Sequence, residues 1–266
     1  MQNAASAAFP VPSTNRLSKE QCPHPDQDIE DERRTNLSEY RALVGKLVYA
    51  MVGTRPDIAF AVSQCSRFFS NPGKLHMKAA RHIVRYLKGT TNIGLTFGKN
   101  TGPEPLKPYA YCDSDWAQCL DTRKSTSGYV IMLNGAAVSW ISKRQPTVAL
   151  SSAEAEYVTA CFAAQEVQFI RQTLDELGLL TCKEPTTIFC DSQSAMHMIK
   201  NPTSGRAKHI DIKAHFVKES HERGYTRFEY IQTDSNAADV LTKGLSPKPR
   251  PRNFEMLSPG KEGSYM

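Results

Sequence analysis

From about Lys107 the chain gives strand and helix signals in an order that few architectures accommodate: three strands, a long helix, a strand, helices, a strand and a last short helix. Tyr109 to Cys112 reads as a strand ending at Asp113. Gly128 to Leu133 and Ala136 to Ile141 flank Asn134-Gly135, a dipeptide that supplies the positive φ angles of a tight turn, so they read as a hairpin. The long helix covers Ser151 to Leu177 and is stopped by Gly178. Thr186 to Cys190 is a fourth strand ending at Asp191, and Ser194 to Lys200 and about Ile210 to Arg223 are helices. Arg227 to Gln232 is the fifth strand, and Asn236 to Lys243 a last short helix. This order predicts an α/β fold in which helices cover a mixed five-stranded sheet.

The preceding stretch, residues 37 to 98, reads as a small helical subdomain. Asn36 with Glu39 resembles a capping box, and Leu43, Val44, Leu47, Val48 and Met51 recur at helical spacing. Pro56 suits the first position of a second helix, and a third runs from Lys74 to Lys88 and stops at Gly89. Residues 98 to 106 read as a linker, residues 1 to 36 as a disordered or linker tail broken by four prolines, and residues 246 to 266 as a disordered tail. The mixed strand-and-helix block is therefore 107 to 245.

Composition removes several classes. Hydrophobic residues make up 40%, enough for a packed core, and no apolar run approaches the ~20 residues of a membrane span. Met1 to Asn15 lacks the basic and apolar regions of a secretory leader. Seven cysteines at irregular spacing, with no Cys-x-x-Cys pair, argue against a disulfide framework or zinc ribbon and for a reducing compartment. A net charge of +6 is ordinary solubility, compatible with nucleic acid without demanding it.

The acids carry the functional signal. Asp113 and Asp191 each end an apolar strand, where α/β proteins place sites, although one such Asp alone more often caps a turn. Asp115, two residues on, shares a strand side with Asp113, and spacing cannot choose between them. Glu156 falls on one helical stripe with Ala160, Ala163, Val167, Ile170 and Leu174. An acid there must be paired, metal-bound or protonated to offset its desolvation. Glu154 lies nearly opposite and, with Ser151, fits a capping box. Asp239, in Asn-Ala-Ala-Asp, reads on spacing alone as a first-turn acid favoured by the helix dipole.

A dense series of strings now sets the context. Tyr-Arg-Ala-Leu-Val-Gly-Lys-Leu-Val-Tyr starts at Tyr40, Thr-Arg-Pro-Asp-Ile-Ala at Thr54, Ser-Arg-Phe-Phe-Ser-Asn-Pro-Gly at Ser66 and Arg-Tyr-Leu-Lys-Gly-Thr at Arg85. Asp-Ser-Asp-Trp-Ala follows from Asp113, Arg-Lys-Ser-Thr-Ser-Gly-Tyr from Arg123, and a long string from Ser142 ends in Ser-Ser-Ala-Glu-Ala-Glu-Tyr. Cys-Asp-Ser-Gln-Ser-Ala from Cys190, Lys-His-Ile-Asp-Ile from Lys208 and Ala-Asp-Val-Leu-Thr-Lys from Ala238 complete it. In this order, from about Leu37 to Leu245, the chain resembles the C-terminal part of the Pol polyprotein of copia-type (Pseudoviridae) LTR retrotransposons, the end of reverse transcriptase followed by ribonuclease H.

The resemblance implies a ribonuclease H-like fold and a four-carboxylate site: Asp113, Glu156, Asp191 and Asp239. It implies two Mg2+ or Mn2+ ions, since hard carboxylate oxygens suit those metals better than zinc. It also implies metal-dependent endonucleolytic hydrolysis of the RNA strand of an RNA–DNA hybrid, as part of reverse transcription. Partners would be the hybrid, the reverse transcriptase palm and other Pol segments, with no membrane. The location would be intracellular, in a cytoplasmic virus-like particle or the nucleus. Arg123, Lys124, Ser125, Lys143, Arg144 and Lys208 are candidates for phosphate contact. His209, His215 and His221 are spaced to spread around a helix, not to form a metal cluster, and Asp211 could pair with His215. Two features depart from the family pattern. Gln232 to Ala238 holds none of the histidine that many cellular ribonucleases H carry before the last Asp, and no Tyr-x-Asp-Asp string is present. The expectation is a truncated open reading frame or a piece of a longer polyprotein that cannot polymerise alone. The competing expectation is a catalytically silent relic or nucleic-acid-binding module of the same fold.

Overall fold

The computed structural model describes residues 4–11, 16–24, 35–97, 106–180, 184–201 and 208–244, with the side chains of 208–211 and 214 outside the description. The expected C-terminal tail, most of the linker, and the proposed roles of Lys208, His209 and Asp211 therefore lie outside the described residues.

Three helices come first: α1 (Leu37–Gly53), α2 (Ala59–Ser66) and α3 (Lys74–Gly89). Asn36 caps α1 by accepting from the Glu39 N–H at 3.0 Å, and Pro56 opens a 3-10 turn, Pro56–Ile58, that leads into α2. Then come strands β1 (Pro108–Ser114), β2 (Thr126–Leu133) and β3 (Ala136–Arg144), helix α4 (Ser152–Glu176) and strand β4 (Thr186–Cys190). Helices α5 (Gln193–Lys200) and α6 (Lys208–Glu222) precede β5 (Thr226–Tyr230). The last expected helix is instead a 3-10 segment, Ala237–Leu241, capped by Asn236.

The sheet order is β3-β2-β1-β4-β5. The hairpin pairs β2 with β3, β1 runs antiparallel to β2, and β4 and β5 run parallel to β1 and to each other. Asn134 and Gly135 both take the positive φ angles (51° and 81°) that the hairpin turn requires. Side chains alternate across the strands and divide the core in two. Ala110, Cys112, Tyr129 and Ile131 face α4, α5 and α6. Tyr111, Val130, Met132 and Ala137 face α1, α2, α3 and the Ala237–Leu241 segment. The helical segment is thus the third layer of one sandwich, sharing a continuous apolar core with the sheet.

The described parts of residues 1–36 are not a free tail. Val11 and Leu17 are buried in the helical layer. Ala5, Phe9 and Ser18 offer backbone carbonyls to Arg85, His82 and His76 at 2.7, 3.0 and 3.2 Å. Gly89 lies inside the last turn of α3, not past it, and a Cβ there would stand 2.8 Å from Ser6 Cβ. The prolines that argue against helix do not prevent an extended segment from packing along one.

Candidate active site

Asp113 sits near the end of β1, the central strand, and is 2% exposed. Its Oδ2 accepts from the Thr242 hydroxyl. Burial pushes its carboxyl up to about 7; Lys243 and the Thr242 hydroxyl oppose that, and Asp239 and Asp191 add to it. Glu156 lies in the first turns of α4, 7% exposed, because Ser151 caps that helix and fixes where its apolar stripe meets the sheet. Its Oε1 accepts from the Ser114 N–H at 3.2 Å, while Oε2 is buried with no hydrogen-bond partner. Burial, then the charges of Asp113, Cys190 and Asp191, push this carboxyl up to about 10.

Asp191 directly follows β4, and its carboxylate, that of Glu156 and the Cys190 sulfur lie within 4.8 Å of one another. Asp239 comes in on the 3-10 segment, raised by burial against the opposing Lys243 ammonium, which is 2.5 Å from Oδ1. Its field acts with that of Asp191 on Asp113, and that of Asp191 acts on it in turn. The structure therefore brings together all four acids of the sequence reading, from β1, α4, β4 and the last segment. Asp115 does something else: its Oδ1 accepts from the Thr126 N–H at 2.8 Å, which ties the β1–β2 loop to the start of β2. Glu154 serves the cap, accepting from the Leu150 N–H at 2.9 Å.

Three contributors escaped the sequence reading. Asn236 donates to the Cys112 carbonyl at 2.9 Å and accepts from the Ala238 N–H at 3.1 Å, pinning the Asp239 segment to β1. Lys243 is drawn into the cluster by Asp113, Asp239 and Asp191, which raise its ammonium. Cys190 lies fully buried beneath the acids. The first two carry weak local signals, a helix-cap Asn and a last-turn Lys; nothing in the spacing marks the third.

Of the cation candidates, Ser125 is buried and accepts from the Ala117 N–H at 3.0 Å, and Lys124 donates to the Pro146 carbonyl at 2.5 Å. Arg144 points an NH1 at the Cys119 sulfur at 3.6 Å. Arg123 and Lys143 are exposed. His215 faces Glu219 at 3.9 Å and His221 contacts the Thr226 carbonyl at 3.1 Å. The six described cysteines are free. Among the described residues no helix is long and apolar enough to cross a membrane.

The sheet order, with an antiparallel hairpin on one side of β1 and two parallel strands on the other, and the acids gathered where those strands end, define a ribonuclease H-like protein. The chain belongs to the copia-type Pol polyproteins of LTR retrotransposons. It is 42% identical over 258 residues to the retrovirus-related Pol polyprotein from transposon TNT 1-94 of Nicotiana tabacum, covering 96% of this chain and 18% of the relative. It is 40% identical over 213 residues to the Pol polyprotein from transposon RE1 of Arabidopsis thaliana, covering 80% of this chain and 14% of the relative. The chain thus spans under one fifth of these relatives' lengths. The crystal structure of LC11-RNase H1 in complex with RNA/DNA hybrid is 18% identical, with 51% of this chain and 94% of that chain covered and a TM-score of 0.39. No protein-family model matches.

Proposed function

We propose that this segment hydrolyses the RNA strand of RNA–DNA hybrids with divalent metal, as the ribonuclease part of a retrotransposon reverse transcriptase. The observation that carries the reading is the Glu156 Oε2, buried and without a hydrogen-bond partner beside the carboxylates of Asp113 and Asp191. Without a cation such a carboxyl is held protonated, so a divalent ion is what would let it ionise there, and an all-carboxylate donor set suits Mg2+ or Mn2+. Asp113, Glu156, Asp191 and Asp239 would hold two such ions. Bound there, the ions would lower the pKa of water and offset charge on the scissile phosphate, so that hydrolysis leaves 5′-phosphate and 3′-hydroxyl ends.

The chain's own groups prepare the site. The Thr242 hydroxyl and the Ser114 N–H each fix one carboxylate, and Asn236 holds the Asp239 segment in register with β1. Lys243 supplies a positive charge that lets several acids stay close. Arg123 and Lys143, exposed, are suited to phosphate contact, and selection for RNA would come from 2′-hydroxyls in the wide minor groove. In the polyprotein this activity would remove template RNA inside an intracellular particle, beside the polymerase palm.

A labelled hybrid with magnesium tests the reading on a gel. Cleavage by the wild type that Asp191→Asn abolishes is the expected result. Hybrid binding without turnover would leave the silent, nucleic-acid-binding relic instead.

A further inference from the structure

Trp116 stands three residues beyond Asp113 and is 53% exposed. Single exposed apolar side chains are ordinary. This one is held in place. Its indole N–H donates to the Ala149 carbonyl at 3.3 Å, which joins the β1–β2 loop to the loop entering α4. Asp113 lies near the end of β1 just before the first loop, and Glu156 in the first turns of α4 just after the second. The residues flanking Ala149, Val148 and Leu150, are themselves 44% and 84% exposed.

The receiving loop is fixed as well. Lys124 holds the Pro146 carbonyl, and the Leu150 N–H donates to Glu154 Oε2 at 2.9 Å. On the other side of the ring, Ala117 takes a φ of +53°, a left-handed conformation that L-residues other than Gly, Asn and Asp rarely adopt. Ser125 holds that turn by accepting from the Ala117 N–H at 3.0 Å. Strain of this kind persists where the surroundings impose it, and it clusters at ligand-contacting positions. Here it falls on the residue directly after Trp116.

We propose that Trp116 packs its exposed indole face on the sugar edge of the nucleic-acid duplex beside the acid cluster, and so positions the strand to be cut. In a duplex the base faces are already stacked on one another. An aromatic ring on the rim of the site therefore meets sugars, and the wide, shallow minor groove of an A-like hybrid presents them. The fixed N–H matters because a ring that needs no ordering on binding loses little entropy there. The inference rests on the ribonuclease reading above and deepens it by naming a substrate-contacting side chain outside the four acids.

The chain holds two tryptophans, and the second, Trp140, is half-buried with its N–H on the Met51 carbonyl at 3.1 Å. Trp116→Phe therefore leaves Trp140 as the only tryptophan reporter, and the difference from the wild type isolates Trp116. With an RNA–DNA hybrid and calcium in place of magnesium, acrylamide quenching of the Trp116 component should fall on binding. In magnesium, Trp116→Ala should raise KM for the hybrid about fivefold, the scale of uncovering part of one aromatic face, with kcat within about twofold. Trp116→Phe, which keeps a ring but loses the N–H tie to Ala149, should recover part of that loss. Unchanged quenching, or a fall in kcat with KM intact, overturns the assignment while cleavage by the wild type leaves the ribonuclease reading standing. A wild type that neither binds nor cuts the hybrid takes both down together.

Discussion

The sharpest consequence of the site is that it should weaken the metal-free fold. Glu156 is held protonated far above its ordinary value of 4.5, up to about 10. The unfolded chain ionises this group freely, so from about pH 4.5 upward the unfolded state gains stability that the folded state lacks. At about pH 7.5 the gap is about three pH units, or about 4 kcal/mol at ~1.36 kcal/mol per unit, and water entry on relaxation reduces this to about 2 kcal/mol. Glu156→Gln removes the ionisation and keeps both the shape and the Oε1 acceptor for the Ser114 N–H. In EDTA it should therefore raise the melting temperature by roughly 4–8 °C, at about 2–4 °C per kcal/mol for a chain of this size. Magnesium should reverse the order. It stabilises the wild type by about 2.7 kcal/mol at a hundredfold excess over Kd and gives Glu156→Gln much less. Thermal melts of both proteins with EDTA and with magnesium check this. A variant that melts lower than the wild type in EDTA, or that gains as much from magnesium, refutes the claim that this carboxyl is a desolvated metal ligand.

Other consequences follow from the same geometry. The metal-free wild type should lose melting temperature as pH rises from about 4 to 7, where Asp113 (raised from 3.8 to about 7) and Glu156 both add to the unfolded state's advantage; a magnesium-saturated sample should be much flatter over that window, and matching slopes would contradict the linkage. Gly128→Ala should cut hybrid cleavage at least tenfold and lower the melting temperature. A Cβ there stands 2.8 Å from both Leu241 Cβ and Thr242 Cγ2, so the segment carrying Asp239 must move, at a cost of about 1–3 kcal/mol; an active, normally melting variant would refute this. Asn236→Ala should destabilise by about 1–3 kcal/mol, since it leaves the Cys112 carbonyl without that donor in a buried setting, and denaturant midpoints measure it. Lys243→Met should lower the metal-free melting temperature at neutral pH, because the acids lose their internal counter-charge, and an unchanged value would place that ammonium outside the cluster's balance.

Much of the fold was legible because local signals agreed with the global arrangement. Asn134-Gly135 marked the hairpin, Ser151 and Glu154 marked the start of α4, and the order of strands and helices implied a mixed sheet. Glu156 was legible on physical grounds alone: an acid in an apolar stripe has to have a reason. Asp113 and Asp191 stood out as strand ends, but spacing left Asp113 and Asp115 open, and the family resemblance chose Asp113. Asp239 was not, because its segment is a short 3-10 turn whose position depends on Asn236 reaching across 124 residues to Cys112. Local pattern carries no trace of such a bond, so only the family resemblance singled that residue out. The buried parts of residues 1–36 were missed for a similar reason. Their hold comes from carbonyls meeting side chains of α3, and proline-rich composition says nothing about an extended strap on another element's surface.

The two sides of the sheet contribute different things to the acid cluster. The α4 side supplies Glu156 on a long capped helix whose buried residues lock its rotation. The other side supplies Asp239 on a segment too short to be stable by itself. Ala237, Ala238, Val240 and Leu241 anchor that segment by entering the same apolar cluster as α1, α2 and α3, and Gly128 lets it lie directly on β2. The helical layer therefore has a direct bearing on the chemistry. It covers the face of the sheet on which the fourth acid is mounted, and apolar packing on both faces, together with the Lys243 ammonium, offsets the cost of holding the acids close.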